Sequence, residues 1–511
     1  MVKSGMKTIL IALNAHYTHS SLALRYLREY NKHHNIEIAE FTINDSINTV
    51  YSALLSKKAD FYCFSCYIWN VELTLKIASM LKIAMPQCRI VFGGPECSYS
   101  AEELIAEHIF IDHIITGEGE KAFDSLLSGE NHDRIIKGQD VNLADITLPY
   151  SDNDLQLLRS KIIYFETSRG CPFRCSYCLS AAKTEVRYFP VEYVERGFDL
   201  FFRNDVSLVK LIDRTFNSDA KRAAEIIRYI KANSTVTSVH LEVEPSILTG
   251  EIIDELNTAP IGMFQLEIGI QTINEKTLAA INRKNNIKKI TENISKLKNT
   301  HLHIGLIAGL PYEDYESFSR SFNYVYSLNP DMLQLGFLKL LHGAPIEKQS
   351  GIKHRDFPPY EVIATDWLSA DDLCRLKKIE NTVDCLKNSG IFARTLEAIV
   401  KDDPFAVFEF LSDKIIGVRR ADLYDLLYDL YGEKIKHLLL YDFLLNNKDC
   451  KMPSFIVKDN INDFKNKCYK FCRKHKEKPD LKMIRFEAAF GMVLMVDYTT
   501  KMICDVTAEF D

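Results

Sequence analysis

The stretch Cys171-Pro172-Phe173-Arg174-Cys175-Ser176-Tyr177-Cys178 sets three thiols in a C-x3-C-x2-C pattern, directly after a β-rich run at 161–167. Thiolates this close together suit a soft metal, and the question is which one. Structural zinc takes four closed tetrahedral ligands, often from paired C-x2-C units. No fourth Cys or His stands nearby, the next cysteine being Cys374. A [4Fe–4S] cluster held by three thiolates keeps one iron open to an outside molecule. On the triplet alone, a zinc knuckle and an incidental cysteine group stay open beside it.

Downstream, apolar runs at 162–167, 208–213, 238–243, 263–269, 302–308 and 332–338 alternate with helical spans. That alternation predicts a β/α barrel of six units, filling roughly 155–345. Barrel chemistry lives at the carboxyl ends of the strands. Strand one ends in Thr167-Ser168-Arg169-Gly170 and the triplet, strand two in Asp213-Arg214-Thr215-Phe216-Asn217, and strand three in Glu242-Val243-Glu244-Pro245. Strand four carries Glu267-Ile268-Gly269-Ile270-Gln271-Thr272, and strand five ends in Ala308-Gly309-Leu310-Pro311.

Upstream, residues 1–145 show short apolar strands at 8–13, 36–41, 61–66, 89–92 and 113–115, with helical segments at 47–56, 71–84 and 100–107 between them. Such βαβ units predict a doubly wound, Rossmann-like parallel sheet with ligands beyond the carboxyl ends of its strands. The segments there are 14–21, 65–70, Gly93-Gly94-Pro95-Glu96 and Gly117-Glu118-Gly119-Glu120. No G-x-G-x-x-G follows the first strand, which argues against a dinucleotide. A polar linker, 131–154, leads to the barrel.

With Phe173 and Tyr177 inside it, the triplet resembles the signature of the radical S-adenosylmethionine (radical SAM) family. The strand ends are similar to that family's D-x-x-F, E-x-G-x-Q-[ST] and G-L-P segments. The resemblance implies a [4Fe–4S] cluster on Cys171, Cys175 and Cys178, whose open iron takes the amino and carboxylate groups of S-adenosylmethionine. It implies cofactor contacts from Phe173, Tyr177, Asp213, Glu242, Glu267, Gly269, Gln271 and Gly309. Gly305 departs from it, standing where many relatives place an aspartate. The paired Gly-Gly-Pro and Gly-Glu-Gly-Glu turns resemble the cobalamin-binding domain that precedes many radical SAM barrels. This implies a corrinoid at Asn14, His16, Thr18, Ser65, Cys66, Tyr67, Trp69, Gly93, Gly94, Pro95, Gly117, Glu118, Gly119 and Glu120. The D-x-H-x-x-G motif is missing, so the expected state is base-off without a histidine ligand. Arg187 matches an arginine often found after the triplet, for cobalamin or substrate or as a plain surface residue.

The activity so implied is reductive cleavage of S-adenosylmethionine to a 5′-deoxyadenosyl radical, with methylation of an unactivated carbon through methylcobalamin. An external flavodoxin or ferredoxin would supply electrons. Ring rearrangement or cyclisation is a second outcome. A tRNA methylthiotransferase is another, its auxiliary cluster drawing on Cys63, Cys66, Cys88 or Cys97. A corrinoid sensor or carrier is the non-enzymatic alternative.

The last third, 346–511, has helical periodicity at 370–389, 394–400, 404–414 and 420–446, then a closing hairpin at 486–496 and 502–506. Leu335-Gly336-Phe337-Leu338-Lys339 and Pro358-Pro359-Tyr360-Glu361 resemble a radical SAM subfamily with an uncharacterised C-terminal domain. Tyr360, Glu361 and Lys339 are candidates for substrate chemistry. The basic stretch 465–478, with Tyr469, Phe471, Cys468 and Cys472, reads as a solvated helix face rather than a tRNA-binding patch. A net charge of −6 asks for neither nucleic acid nor an anionic membrane. No run approaches the roughly 18 apolar residues of a membrane span. The 13 cysteines, unevenly spaced and without a secretory leader, point to a reducing cytoplasm. The resemblance implies a small-molecule or biosynthetic-intermediate substrate.

Overall fold

The computed structural model describes residues 5–234, 236–475 and 482–510. The chain forms two compact units, Met1–Phe318 with Gly336–Ala370, and Ser319–Leu335 with Asp371–Asp511.

The first unit opens with six parallel strands: β1 (Lys7–Asn14), β2 (Asn35–Thr42), β3 (Phe61–Ser65), β4 (Arg89–Gly93), β5 (His113–Thr116) and β6 (Ile135–Lys137). Their order is β2-β1-β3-β4-β5-β6. Successive strand residues point to opposite faces. Ile9, Ile11 and Leu13 therefore join one apolar core, and Leu10 and Ala12 the other. Burial on both faces is why these strands read as unbroken apolar runs. The order reverses at β1, so the loops after β1 and β3 flank the crevice where open α/β sheets receive ligands. The expected linker is wrong in part: β6 and a short helix, Asp152–Leu157, occupy it. Three residues of strand carry too little periodicity to stand out from a polar segment.

The second sheet holds β7 (Ile163–Phe165), β10 (Leu208–Leu211), β11 (Ser238–Glu242), β12 (Phe264–Gln271), β13 (His301–Ala308) and β14 (Met332–Phe337), in the order β14-β13-β12-β11-β10-β7. The end strands are not neighbours, so the barrel is open. The expected strand at 162–167 stops early, and a separate antiparallel pair, β8 (Ser168–Arg169) with β9 (Arg187–Tyr188), follows it. Along β12, Leu266, Ile268 and Ile270 are buried, while Gln265, Glu267, Gly269 and Gln271 keep some exposure. A short hairpin, β15 (Ile352–His354) with β16 (Val362–Thr365), completes this unit.

The second unit is mainly helical. Asp442 is buried and accepts bonds from Thr395 N at 2.9 Å and Thr395 Oγ1 at 2.8 Å, capping the helix Ala393–Ile399. The single helix expected at 420–446 is two, Leu423–Tyr431 and Lys436–Asn446, divided at Gly432 with φ +68°. The closing hairpin is a three-stranded antiparallel sheet: β17 (Ile484–Ala489), β18 (Met492–Asp497) and β19 (Met502–Asp505). Much of the basic stretch forms the helix Phe464–His475, whose Cys472 is buried, whereas its residues 476–478 lie outside the described residues. Among the described residues, no helix is long and apolar enough to cross a membrane.

Candidate functional site

The cysteine loop is closed at its base by β8 and β9. Gly170, at φ +101°, makes the turn out of β8, and a Cβ there would meet Glu185 O at 2.0 Å. Cys171 N donates to Lys183 O at 3.3 Å, and Cys178 N to Cys175 O at 3.1 Å. The far side of the loop is strapped as well. Ser176 N donates to Ile281 O at 2.9 Å, Asn282 Nδ2 to Arg174 O at 3.0 Å, and Ile346 N to Ser176 O at 2.9 Å.

Arg283 gathers these supports, and nothing in the local sequence singles it out. Its guanidinium donates to Tyr177 Oη at 3.2 Å, Glu244 Oε2 at 3.0 Å, Cys175 Sγ at 3.6 Å and the Gly269 carbonyl. The planar fork lets one residue serve strand ends and loop together. Burial pushes the Tyr177 phenol up.

Cys171 and Cys175 are buried and Cys178 is half-buried. Among the described residues, one set of three metal-ligating atoms lies within 4.8 Å, and it does not include these thiols. Tetrahedral zinc with Zn–S of about 2.3 Å would need sulfurs about 3.8 Å apart. A wider triangle of thiolates with no fourth ligand fits an iron–sulfur cluster better than a single ion.

Several strand-end residues are held by neighbours within the protein. The buried carboxylate of Asp213 accepts from Thr167 N at 2.9 Å, Thr167 Oγ1 at 2.7 Å and Ser168 Oγ at 2.5 Å, so it fixes the loop entrance. Glu267 has two basic side chains beside it. Lys210 Nζ lies 3.0 Å away and His240 Nε2 2.9 Å away, the latter off the line of a hydrogen bond. These two hold the Glu267 carboxyl down to about 2. Gly309 packs under Val362, whose Cγ1 lies 2.7 Å from where a Cβ would stand. Gln271, at φ +68°, folds back over Gly269.

Glu242, at the end of β11, is half-buried, and among the described residues its side chain has no hydrogen-bond or ion-pair partner. Burial, with Glu267 adding repulsion, pushes it up to about 7. The exposed guanidinium of Arg214 belongs to the same electrostatic neighbourhood, and it also faces Tyr67 of the first domain. Phe173 is half-buried beside the thiols.

At the first domain's crevice, Trp69 stacks on Tyr67 at 4.3 Å with planes 8° apart. Trp69 stays 45 % exposed and Tyr17 64 %, which gives the rim a flat aromatic surface suited to a planar macrocycle. His16 is exposed with its ring 5.6 Å from His19, and Thr18 O accepts from Ile162 N at 2.8 Å. Gly94, at φ +113°, runs so close to Cys66 that a Cβ would meet its carbonyl at 2.5 Å. Gly93 and Pro95 flank it, and Gly117 turns at φ +73°.

Six of the residues expected around a corrinoid are buried or make contacts within the protein. Asn14 Nδ2 donates to His19 O and Glu40 Oε1, both at 3.3 Å. Cys66 is fully buried beside Cys97, and Ser65 is buried too. Glu118 pairs with Arg169 at 3.1 Å and with Arg187, while Glu120 pairs with Arg169 at 2.8 Å and Gly119 packs against Leu27. Arg169 also holds Glu166 and lies over the Tyr26 and Phe189 rings. Arg187 is thus an ion-pair partner of the first domain. Burial pushes Glu166 up to about 7 even beside Arg169.

Of the three substrate candidates, Tyr360 is buried and donates to Glu96 Oε1 at 2.5 Å, tying the loop before β16 to the first domain. Glu361 pairs with Arg355 at 3.3 Å. Lys339 is half-buried, bridged to Glu361 through the backbone.

Comparison with known proteins follows the same division. Residues 8–127 match the B12 binding domain family, 165–325 the radical SAM superfamily, and 348–490 a protein of unknown function, DUF4080. The chain is 25% identical over 410 residues to the 2-(S-pantetheinyl)-carbapenam-3-carboxylate methyltransferase of Streptantibioticus cattleyicolor, covering 70% of this chain and 59% of that protein. It is 25% identical over 406 residues to the cobalamin-dependent radical SAM methyltransferase TokK of Streptomyces tokunonensis, covering 69% and 58%. The chain thus spans less than two thirds of the length of each of these two relatives. The structure of OxsB with aqua-cobalamin and S-adenosylmethionine matches with a TM-score of 0.59 at 14% identity, over 86% of this chain and 75% of that one. At this identity the likeness establishes the fold. The chain is a radical SAM protein in which a B12-binding domain precedes the radical SAM domain and a domain of unknown function follows it.

Proposed function

We propose that the protein is a cobalamin-dependent radical SAM enzyme that methylates an unactivated carbon of a small molecule. The observation that carries this reading is the strapped cysteine loop, with three spread thiols and, among the described residues, no fourth ligating group, together with the carboxylate of Glu242 at the end of β11. Bound there, a [4Fe–4S] cluster would supply the electron that cleaves S-adenosylmethionine, and a corrinoid in the crevice of the first domain would carry the methyl group.

The protein's own part is holding and orienting. Cys171, Cys175 and Cys178 would take three irons, and Arg283 and Gly170 keep the loop in the one conformation that presents them. Glu242 accepts from the ammonium or ribose hydroxyls of the ligand once it has lost its proton. Trp69 and Tyr67 offer the corrinoid a flat wall, and the close Gly94–Cys66 approach shapes the turn beneath it. Arg214 lies between the Glu242 and Tyr67 neighbourhoods, placed to meet an anionic group.

A methylthiotransferase would want a second cysteine set in the first domain. Cys63 belongs to one face of the sheet, and Cys66, Cys88 and Cys97 to the other. Burial pushes the thiols of Cys63, Cys66 and Cys88 up, which opposes thiolate ligation.

The test is anaerobic reconstitution with iron, sulfide and hydroxocobalamin, then reaction with methyl-labelled S-adenosylmethionine, reductant and a whole-cell extract containing both small molecules and tRNA. About four irons per chain, one corrinoid and label carried into a small molecule are expected. About eight irons, or label found only in tRNA, would refute it.

A further inference from the structure

We infer that His33, His34 and Asp124 form a binding site for a divalent late transition-metal ion on the first domain, separate from the cysteine loop. Nε2 of His33, Nε2 of His34 and a carboxylate oxygen of Asp124 lie within 4.8 Å of one another. Both nitrogens sit 2.9 Å from the same oxygen, Asp124 Oδ1, and the two rings are 4.2 Å apart with a tilt of 42°.

Adjacent residues rarely aim at one point, since in extended chain they face opposite ways. Here the turn that ends the helix Leu22–Tyr30 turns both inward. Asn31 N donates to Leu27 O at 3.1 Å, and His34 N to Asn31 O at 2.9 Å. The turn is also anchored. Asn31 is fully buried, and its Nδ2 donates to Leu27 O at 2.9 Å and to Glu120 O at 3.2 Å. That second bond pins the turn to the helix Glu120–Leu127, which carries Asp124. The donors therefore come from two elements held in register by a buried amide.

Two imidazoles and one carboxylate suit zinc, nickel or copper, whereas calcium and magnesium prefer an all-oxygen shell. Zn–N bonds of about 2.0–2.1 Å require nitrogens about 3.4 Å apart, so the donors close by small side-chain rotations. His33 is 58 % exposed and free to make them, while His34 at 15 % is already fixed. Water would fill the remaining positions. The ion would lock the turn onto a helix whose first residue, Glu120, pairs with Arg169 next to the cysteine loop. Without a metal the same geometry is a pair of imidazoles hydrogen-bonded to a surface carboxylate.

The test uses untagged, full-length protein with its iron–sulfur cluster loaded, so that the triplet thiols are occupied. Zinc titrated by calorimetry should bind wild type at one site, and copper at that site should show nitrogen couplings from two imidazoles in its paramagnetic resonance spectrum. H33Q and H34Q, checked for unchanged iron content and circular dichroism, should each bind zinc more weakly by more than the roughly tenfold that loss of a supporting partner costs. Zinc affinity unchanged in both variants, or no zinc uptake by wild type, would overturn the proposal.

Discussion

Arg283 shows what a single side chain carries in this protein. It joins the cysteine loop to the ends of β11 and β12, and Glu244 is its buried ion-pair partner at 6 % exposure. Removing one partner of a buried pair costs roughly 3–5 kcal/mol, because the other is left charged without compensation. Arg283→Met should lower both the urea midpoint and the iron retained after desalting. Full iron retention in that variant would contradict its role as a strap. Glu242 gives a pH-dependent expectation. Its folded-state carboxyl sits near 7, above the ordinary 4.5, so its charge weakens the fold above about pH 7. That penalty fades as pH falls from about 7 towards 4.5. Binding of a cationic ligand needs the ionised form, whose fraction rises about tenfold between pH 6 and 8. The affinity for S-adenosylmethionine should rise by about that factor over this range, and E242Q should be weaker and pH-independent.

Two turns decide two separate elements. A methyl group at Gly170 would collide with the Glu185 carbonyl, and one at Gly94 with the Cys66 carbonyl. Both glycines also hold left-handed φ values, which L side chains adopt only with strain. Gly170→Ala should deplete iron while leaving corrinoid binding intact, and Gly94→Ala should do the reverse. Both readouts come from one anaerobic reconstitution, and parallel loss of both in either variant would argue for a global defect. Elements of this kind were only partly legible in the sequence. The long strands of both sheets stand out because burial on one or both faces leaves an apolar signature. β6, β8 and β9 do not, since two or three residues show no period. The break at Gly432 does not show either, because apolar spacing continues across it.

At the scale of the whole molecule, the first domain is joined to the barrel by buried charge that no local pattern announces. Arg169 meets Glu118, Glu120 and Glu166, residues up to 51 positions away. Charged strand-end residues invite a ligand reading, and in the Gly117–Glu120 segment the two carboxylates pair with Arg169 across the junction. Arg169→Met leaves Glu120 and Glu166 without their ion-pair partner, while Glu118 keeps Arg187, and should destabilise the protein by several kcal/mol, about the cost of breaking a buried pair. Chemical denaturation with a domain-resolved probe should then show the first domain parting from the barrel before either melts, and a single wild-type-like transition would count against the junction. The cysteine triplet was legible because its spacing is local. The partners that strap it were not, since Ile281, Arg283 and Ile346 reach it only through the fold. Every other functional statement depends on an open iron site on that triplet. The most direct test is low-temperature electron paramagnetic resonance of the reduced protein, before and after adding S-adenosylmethionine. A [4Fe–4S]⁺ signal whose g-values shift on addition, and which is absent from C175A, is the expected result; a signal indifferent to S-adenosylmethionine, or none in protein containing only zinc, would contradict the account.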